Sequence, residues 1–131
     1  MEATKKIEKG TILCGKFGYE AELFVFYEVM DVRHQKNGTF AVLKELAEDH
    51  RYIPGPGGKI YFNTPEYVKP ILGVYKLRSQ WDKKAETFVD KEVCFKRQIK
   101  QSQYFGDYCE IETYLRAYIW DGEEKFTYNY H

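Results

Sequence analysis

The sequence predicts a mainly β protein, a small antiparallel barrel or sandwich built from hairpins. Three observations carry this. Aromatic residues make up 18% of the chain, with Tyr occurring 12 times, and such side chains suit a pleated, half-buried surface. Runs rich in aromatic and β-branched residues recur along the chain. Two of these runs lead into Asn37-Gly38 and Asp121-Gly122, both strong hairpin dipeptides. The alternative is an α+β fold with one helix near 87–101, where Val89, Val93, Lys96, Ile99 and Lys100 have helical spacing.

Taken in order, residues 1–9 are polar and charged and are expected to be a flexible terminus. Residues 10–131 are expected to form a single β-rich domain. Residues 11–17 read as a strand in which Gly15 marks a bulge, and Gly18 supplies a turn. Residues 22–34 read as a long strand. Phe24, Val25, Phe26 and Tyr27 are all bulky, so both faces of its first half are expected to be covered. Asn37-Gly38 turns the chain into a return strand over 39–49. Residues 52–70 read as the clearest irregular region, because the prolines and glycines of 54–58 cannot sit inside a helix or a central strand, with a short strand at 59–62 in its middle. Thr64-Pro65 opens one helical turn, Thr64 acting as N-cap and Pro65 as first helical residue. Residues 71–82 alternate and read as a strand. The C-terminal part reads as a second hairpin, turned by Asp121-Gly122 with 125–130 as its return strand.

Composition narrows the function classes. Twenty basic and twenty acidic residues cancel, which argues against a dedicated duplex-DNA binder. Three cysteines, Cys14, Cys94 and Cys109, lack any C-x-x-C spacing, and no apolar run is long enough to span a bilayer. A cytoplasmic protein with reduced thiols, away from the membrane, is the expectation.

Candidate chemistry is sparse. The Gly-rich loop with Lys59 lacks the spacing and the Lys-Ser/Thr pair of a P-loop, and reads as a connection. His34, His50 and His131 have no metal-ligand spacing. Glu110 and Glu112 share a strand face and suit either acid–base work or plain solvation. No catalytic residue, metal or cofactor is expected. Lys91, Lys96, Arg97 and Lys100, with Phe95 and Tyr104, combine positive charge and stacking rings, as single-stranded nucleic-acid binders do. Trp120 and Asp121, with Tyr128 and Tyr130, have the composition of a protein-recognition surface.

Two pieces of the chain resemble a family of small uncharacterised proteins from bacteriophages and mobile elements. One is Gly10, then Phe17-Gly18-Tyr19-Glu20, Phe26-Tyr27 and Val29. The other is Trp120-Asp121-Gly122 followed by Phe126, Tyr128, Tyr130 and His131. Where the family usually has Gln-Thr-Asn after Gly-Tyr-Glu, this chain has Ala21-Glu22-Leu23. The resemblance implies a compact β-rich fold in a phage-type setting and supplies no activity. Tyr19 and Glu20 lie at the corner after the Gly18 turn, a position that suits either capping of the barrel or contact with a partner. The expected function is non-enzymatic: binding and inhibiting a host or antiviral-defence macromolecule. The alternatives are a single-stranded nucleic-acid-binding module, and a small-nucleotide-binding protein or enzyme using the Gly-rich loop.

Overall fold

The computed structural model describes residues 6–17, 23–53, 57 and 65–128, with Tyr128 given by its backbone alone. Its strands are β1 (Ile12–Phe17), β2 (Leu23–Gln35), β3 (Gly38–Tyr52), β4 (Pro65–Tyr75), β5 (Leu77–Asp82), β6 (Thr87–Glu92), β7 (Cys94–Ser102), β8 (Gly106–Glu112), β9 (Leu115–Ile119) and β10 (Lys125–Tyr128). All pairings are antiparallel. Strands β3-β2-β1-β9-β8-β7 run side by side, and β3 pairs back with β7, closing a six-stranded barrel. Closure removes the exposed edges that an open sheet would present.

Strand β3 is long enough to serve two structures. Phe40–Lys44 pairs with β7 inside the barrel, while Leu46–Tyr52 leaves it and pairs with β4, which β10 extends. The bulky run in β2 follows from this. Val25, Tyr27 and Val29 point into the barrel with Leu13, Ala41, Leu43, Cys109, Ile111, Leu115 and Ala117. Phe26 points outward and is covered by Leu46 and Val68, with Phe24 and Trp120 packed alongside. A bulge between Val29 and Asp31 resets the alternation, so Val32 again packs against the inner core.

One end of the barrel is closed by the N-terminal segment expected to fray. Ile7 is buried, and its N–H donates to the buried Asp107 carboxylate at 3.1 Å. Gly15 makes no bulge, because β1 pairs without a register shift. It serves a close approach instead: a Cβ there would lie 2.8 Å from Leu115 Cδ1.

Other local expectations are corrected. Residues 87–101 form parts of β6 and β7, and no α-helix occurs among the described residues. Extended β character wins because alternate β7 residues Phe95 and Ile99 reach the inner core. The irregular region expected over 52–70 is cut at both ends: Tyr52 closes β3, and Pro65 opens β4 rather than a helical turn, since its segment pairs with both β10 and β3. The alternating run 71–82 is two strands separated by Lys76. The C-terminal hairpin is turned at Thr113–Tyr114. Asp121-Gly122 instead carries the chain across to β4, where Lys125–Tyr128 pairs. The first hairpin turns at Lys36–Asn37, one residue before the predicted dipeptide, with Gly38 opposite Gln35. The Gly-rich loop lies outside the described residues apart from Gly57.

Candidate functional site

The second end of the barrel is a cavity of about 560 Å³. Val25, Ile111 and Leu115 give it apolar walls. Lys76, Arg78 and Arg97 bring positive charge, and Glu45, Glu48 and Glu112 bring negative charge. The buried Tyr27 lines it. Burial, then the nearby Glu45 carboxylate, pushes the Tyr27 pKa upward, so the phenol stays a donor.

Strands β7 and β8 part at this end. Their pairing stops at Ile99↔Cys109, and Arg97 Nε donates to the Ile111 carbonyl at 2.9 Å in place of the next ladder bond. The Arg97 guanidinium also lies over the Phe95 ring, 4.6 Å from its centroid.

Beside the mouth, β5 and β6 form a separate hairpin whose root is tied to Glu45. Lys76 N–H donates to the Glu45 carbonyl, Glu45 N–H to the Val93 carbonyl, and Val93 N–H to the Lys76 carbonyl, at 2.9, 3.1 and 3.1 Å. The buried Glu45 carboxylate adds contacts to Lys76 Nζ at 3.0 Å and to Arg78 at 3.4 Å. Burial works against the Lys76 ammonium, but its hydrogen bonds to Glu45 and Glu48 outweigh this and raise its pKa. Beyond the root, nearly every hairpin residue is exposed on both faces. Trp81 and Phe88 face each other across the strands, 5.2 Å between centroids, at 54% and 66% exposure. Just before the hairpin, the β3–β4 ladder steps from Glu48↔Pro70 to Leu46↔Tyr75. Residues 71–74 therefore bulge out, exposing Ile71, Leu72 and Val74.

The residues singled out from the sequence are dispersed. Tyr19, Glu20 and Tyr130 lie outside the described residues, as does the Tyr128 side chain. Trp120 is a packing residue: it meets Phe26 edge-to-face at 5.9 Å, and its indole N–H donates to the Glu123 carbonyl. Asp121 is exposed, bonded to Lys125 and to the Glu123 N–H, contacts that lower its pKa. In the basic stretch, Phe95 turns inward against Tyr27, 5.5 Å between centroids. Lys91 stands on the hairpin opposite Arg78. Lys96 and Lys100 face outward, Lys96 over the Phe40 ring and Lys100 3.2 Å from Glu110. Tyr104 is 82% exposed.

Sequence reasoning missed the partners that Tyr104 and Lys100 find on the barrel's outer face. Tyr104 meets Phe105 at 6.5 Å, Phe105 meets Tyr118 at 5.7 Å, and Tyr118 stacks on Tyr108 at 5.2 Å, with Arg116 over the Tyr108 ring. The alternation of 106–112 and 115–119 carried this signal, because it puts Tyr108, Arg116 and Tyr118 on the face opposite Cys109 and Ala117.

Among the described residues, which leave out His131, the thiol and imidazole groups do not assemble. His34 contacts Thr39, and His50 contacts Glu48 and Glu66. No metal-binding cluster occurs among the described residues. Glu110 and Glu112 take separate partners, Lys100 and Arg97, with a register shift between them. Burial pushes the Cys109 thiol up to about 12 and the Cys14 thiol up to about 11, while Cys94 is exposed. A thiol reagent at pH 8 is therefore expected to modify one cysteine rapidly, and all three in denaturant. Mass spectrometry should place the fast label on Cys94, and equally fast labelling of Cys109 would contradict the packing. Among the described residues no helix is long and apolar enough to cross a membrane. No protein-family model, curated protein or solved structure matches this chain.

Proposed function

We propose that this is a non-enzymatic binding protein that acts by occupying the surface of a partner protein, through the β5–β6 hairpin and the barrel mouth at its root. The carrying observation is the hairpin itself. A two-stranded ribbon with both faces in water has little core to stabilise it. It nevertheless presents a cross-strand Trp81–Phe88 pair and exposed Leu77. With Ile71, Leu72 and Val74 nearby in the chain, it concentrates apolar area of the kind that marks interaction sites. Trp is also among the residue types enriched at binding hot spots.

The mouth complements this role. Its balanced charges and the Tyr27 phenol suit a polar side chain inserted by a partner, and its apolar walls exclude water around that contact. In the phage-type setting that the family resemblance implies, the partner is a host or antiviral-defence protein and the outcome is inhibition.

The test is affinity purification from a bacterial host, comparing the wild-type chain with the Trp81→Ala/Phe88→Ala double variant. The wild type should retain one protein stoichiometrically. Loss of two hot-spot rings, each worth about 2 kcal/mol, should reduce recovery more than tenfold. Both side chains are exposed, so the variant should keep its thermal unfolding midpoint. Equal recovery by an intact variant, or no stoichiometric partner in any host tried, would refute the assignment.

A further inference from the structure

The outer face of β7, β8 and β9 has a different chemistry from the hairpin. Four rings follow one another in contact: Tyr104, Phe105, Tyr118 and Tyr108. Cross-strand registers place Tyr108 between Tyr118 on β9 and Lys100 on β7. Arg116 lies 5.5 Å from the Tyr108 centroid, and Lys96 is exposed two residues up the same face of β7 from Gln98. The acidic side chains beside this grid, among the described residues, are Glu110, opposite Arg116 and bonded to Lys100, and Glu112, which lines the same hollow as Lys100 and Glu110. Lys96, Lys100 and Arg116 outnumber these two by one, although the whole chain is neutral.

We infer that this face binds single-stranded nucleic acid, its rings stacking on unpaired bases and its three cations following the phosphates. Stacking tolerates any base because every base has a π-face, and a cation stripe beside the rings fixes the path of the backbone. Exposure grades along the row. Tyr104 and Phe105 stand out at 82% and 66%, while Tyr108 and Tyr118 are partly covered on the sheet. Splayed-out bases reach such a row, whereas a duplex keeps its bases stacked on one another. Charge complementarity with phosphate favours this occupant over a protein, and the small net excess of positive charge predicts modest, salt-sensitive affinity.

The probes are fluorescein-labelled dT15 and U15 and a 15-base-pair duplex, followed by anisotropy with the full chain in 25–200 mM salt. Saturable binding to at least one single strand is expected, with a log–log salt slope of about −2 for three neutralised phosphates. The Tyr104→Ala/Phe105→Ala double variant, which alters exposed rings only, should bind about tenfold more weakly or worse. Lys100→Glu should flatten the salt slope. The Trp81→Ala/Phe88→Ala variant should bind like wild type, which separates this face from the hairpin. No binding of either single strand at 25 mM salt would overturn the inference. So would duplex binding as tight as single-strand binding, or undiminished affinity in the intact Tyr104→Ala/Phe105→Ala variant.

Discussion

Phe26→Ala is expected to lower the unfolding free energy by about 3–5 kcal/mol, the usual range for a fully buried Phe. Phe26 has no exposed surface, yet it does not belong to the barrel interior. It projects from the outer face of β2 beneath the ribbon of β3, β4 and β10, where Leu46, Val68 and the edge of Trp120 surround it. Truncation would leave a cavity that these neighbours cannot all fill, because Leu46 and Val68 sit on strands fixed by backbone pairing. A domain of this size has a total stability of roughly 5–15 kcal/mol, so about a fifth of it or more is at stake. The loss should also be local before it is global. Hydrogen exchange should accelerate first at β4 and β10, which Phe26 holds to the barrel, and later at β1 and β9. Urea unfolding with exchange mass spectrometry measures both. A cost below about 1 kcal/mol, or exchange accelerating uniformly, would show that the ribbon is not anchored through this ring.

That anchoring also explains which features were legible in the sequence. The run Phe24–Tyr27 announced burial on both faces, and the structure supplies the two cores that this requires. The β-rich class followed from the aromatic content, since rings at alternate positions must find flat surfaces to pack on. What the sequence left open was which strands meet. Asp121-Gly122 has hairpin chemistry, but a turn dipeptide specifies only that the chain reverses. The packing of Trp120 against Phe26 decides that the reversed chain joins β4 rather than β9. Helical spacing at Val89–Lys100 misled because two short strands meeting at Val93 reproduce an i, i+4 pattern over a limited window. The hairpin surface had one signal in Trp81, which lies in the alternating run 71–82, while Phe88 falls in the stretch with helical spacing; the exposure of both depends on what packs over them, which no local pattern records. Likewise the basic stretch showed charge and rings together, and only the strand pleat sorts Phe95 and Arg97 inward from Lys96 and Lys100 outward.

Glu45→Ala is expected to destabilise the protein by about 1.5–3 kcal/mol, the range for removing a hydrogen-bonded charged group. It is also expected to release the β5–β6 hairpin at its root. Glu45 is 4% exposed, and both of its carboxylate oxygens are used, one on Lys76 and one on Arg78. Those cations are 38% and 66% exposed, so on losing the carboxylate they rehydrate. This keeps the cost below that of orphaning a fully buried charge. The backbone bonds among Glu45, Lys76 and Val93 survive the substitution, so the hairpin should remain attached but pivot more freely. Amide exchange at Lys76 and Val93 should therefore quicken while the barrel amide of Leu43 stays protected. The isosteric Glu45→Gln variant separates charge from packing. It keeps the side-chain volume and one acceptor oxygen, and should recover roughly half of the stability but less of the hairpin's order. If the hairpin is the partner-binding element, the looser root lowers affinity through the ordering that binding must then impose. The same stoichiometric pull-down that tests Trp81 and Phe88 should then show an intermediate loss for Glu45→Gln and a larger one for Glu45→Ala. Unchanged exchange at Val93 in both variants would mean that the backbone bonds alone set the hairpin's position and that the buried carboxylate has no part in holding it.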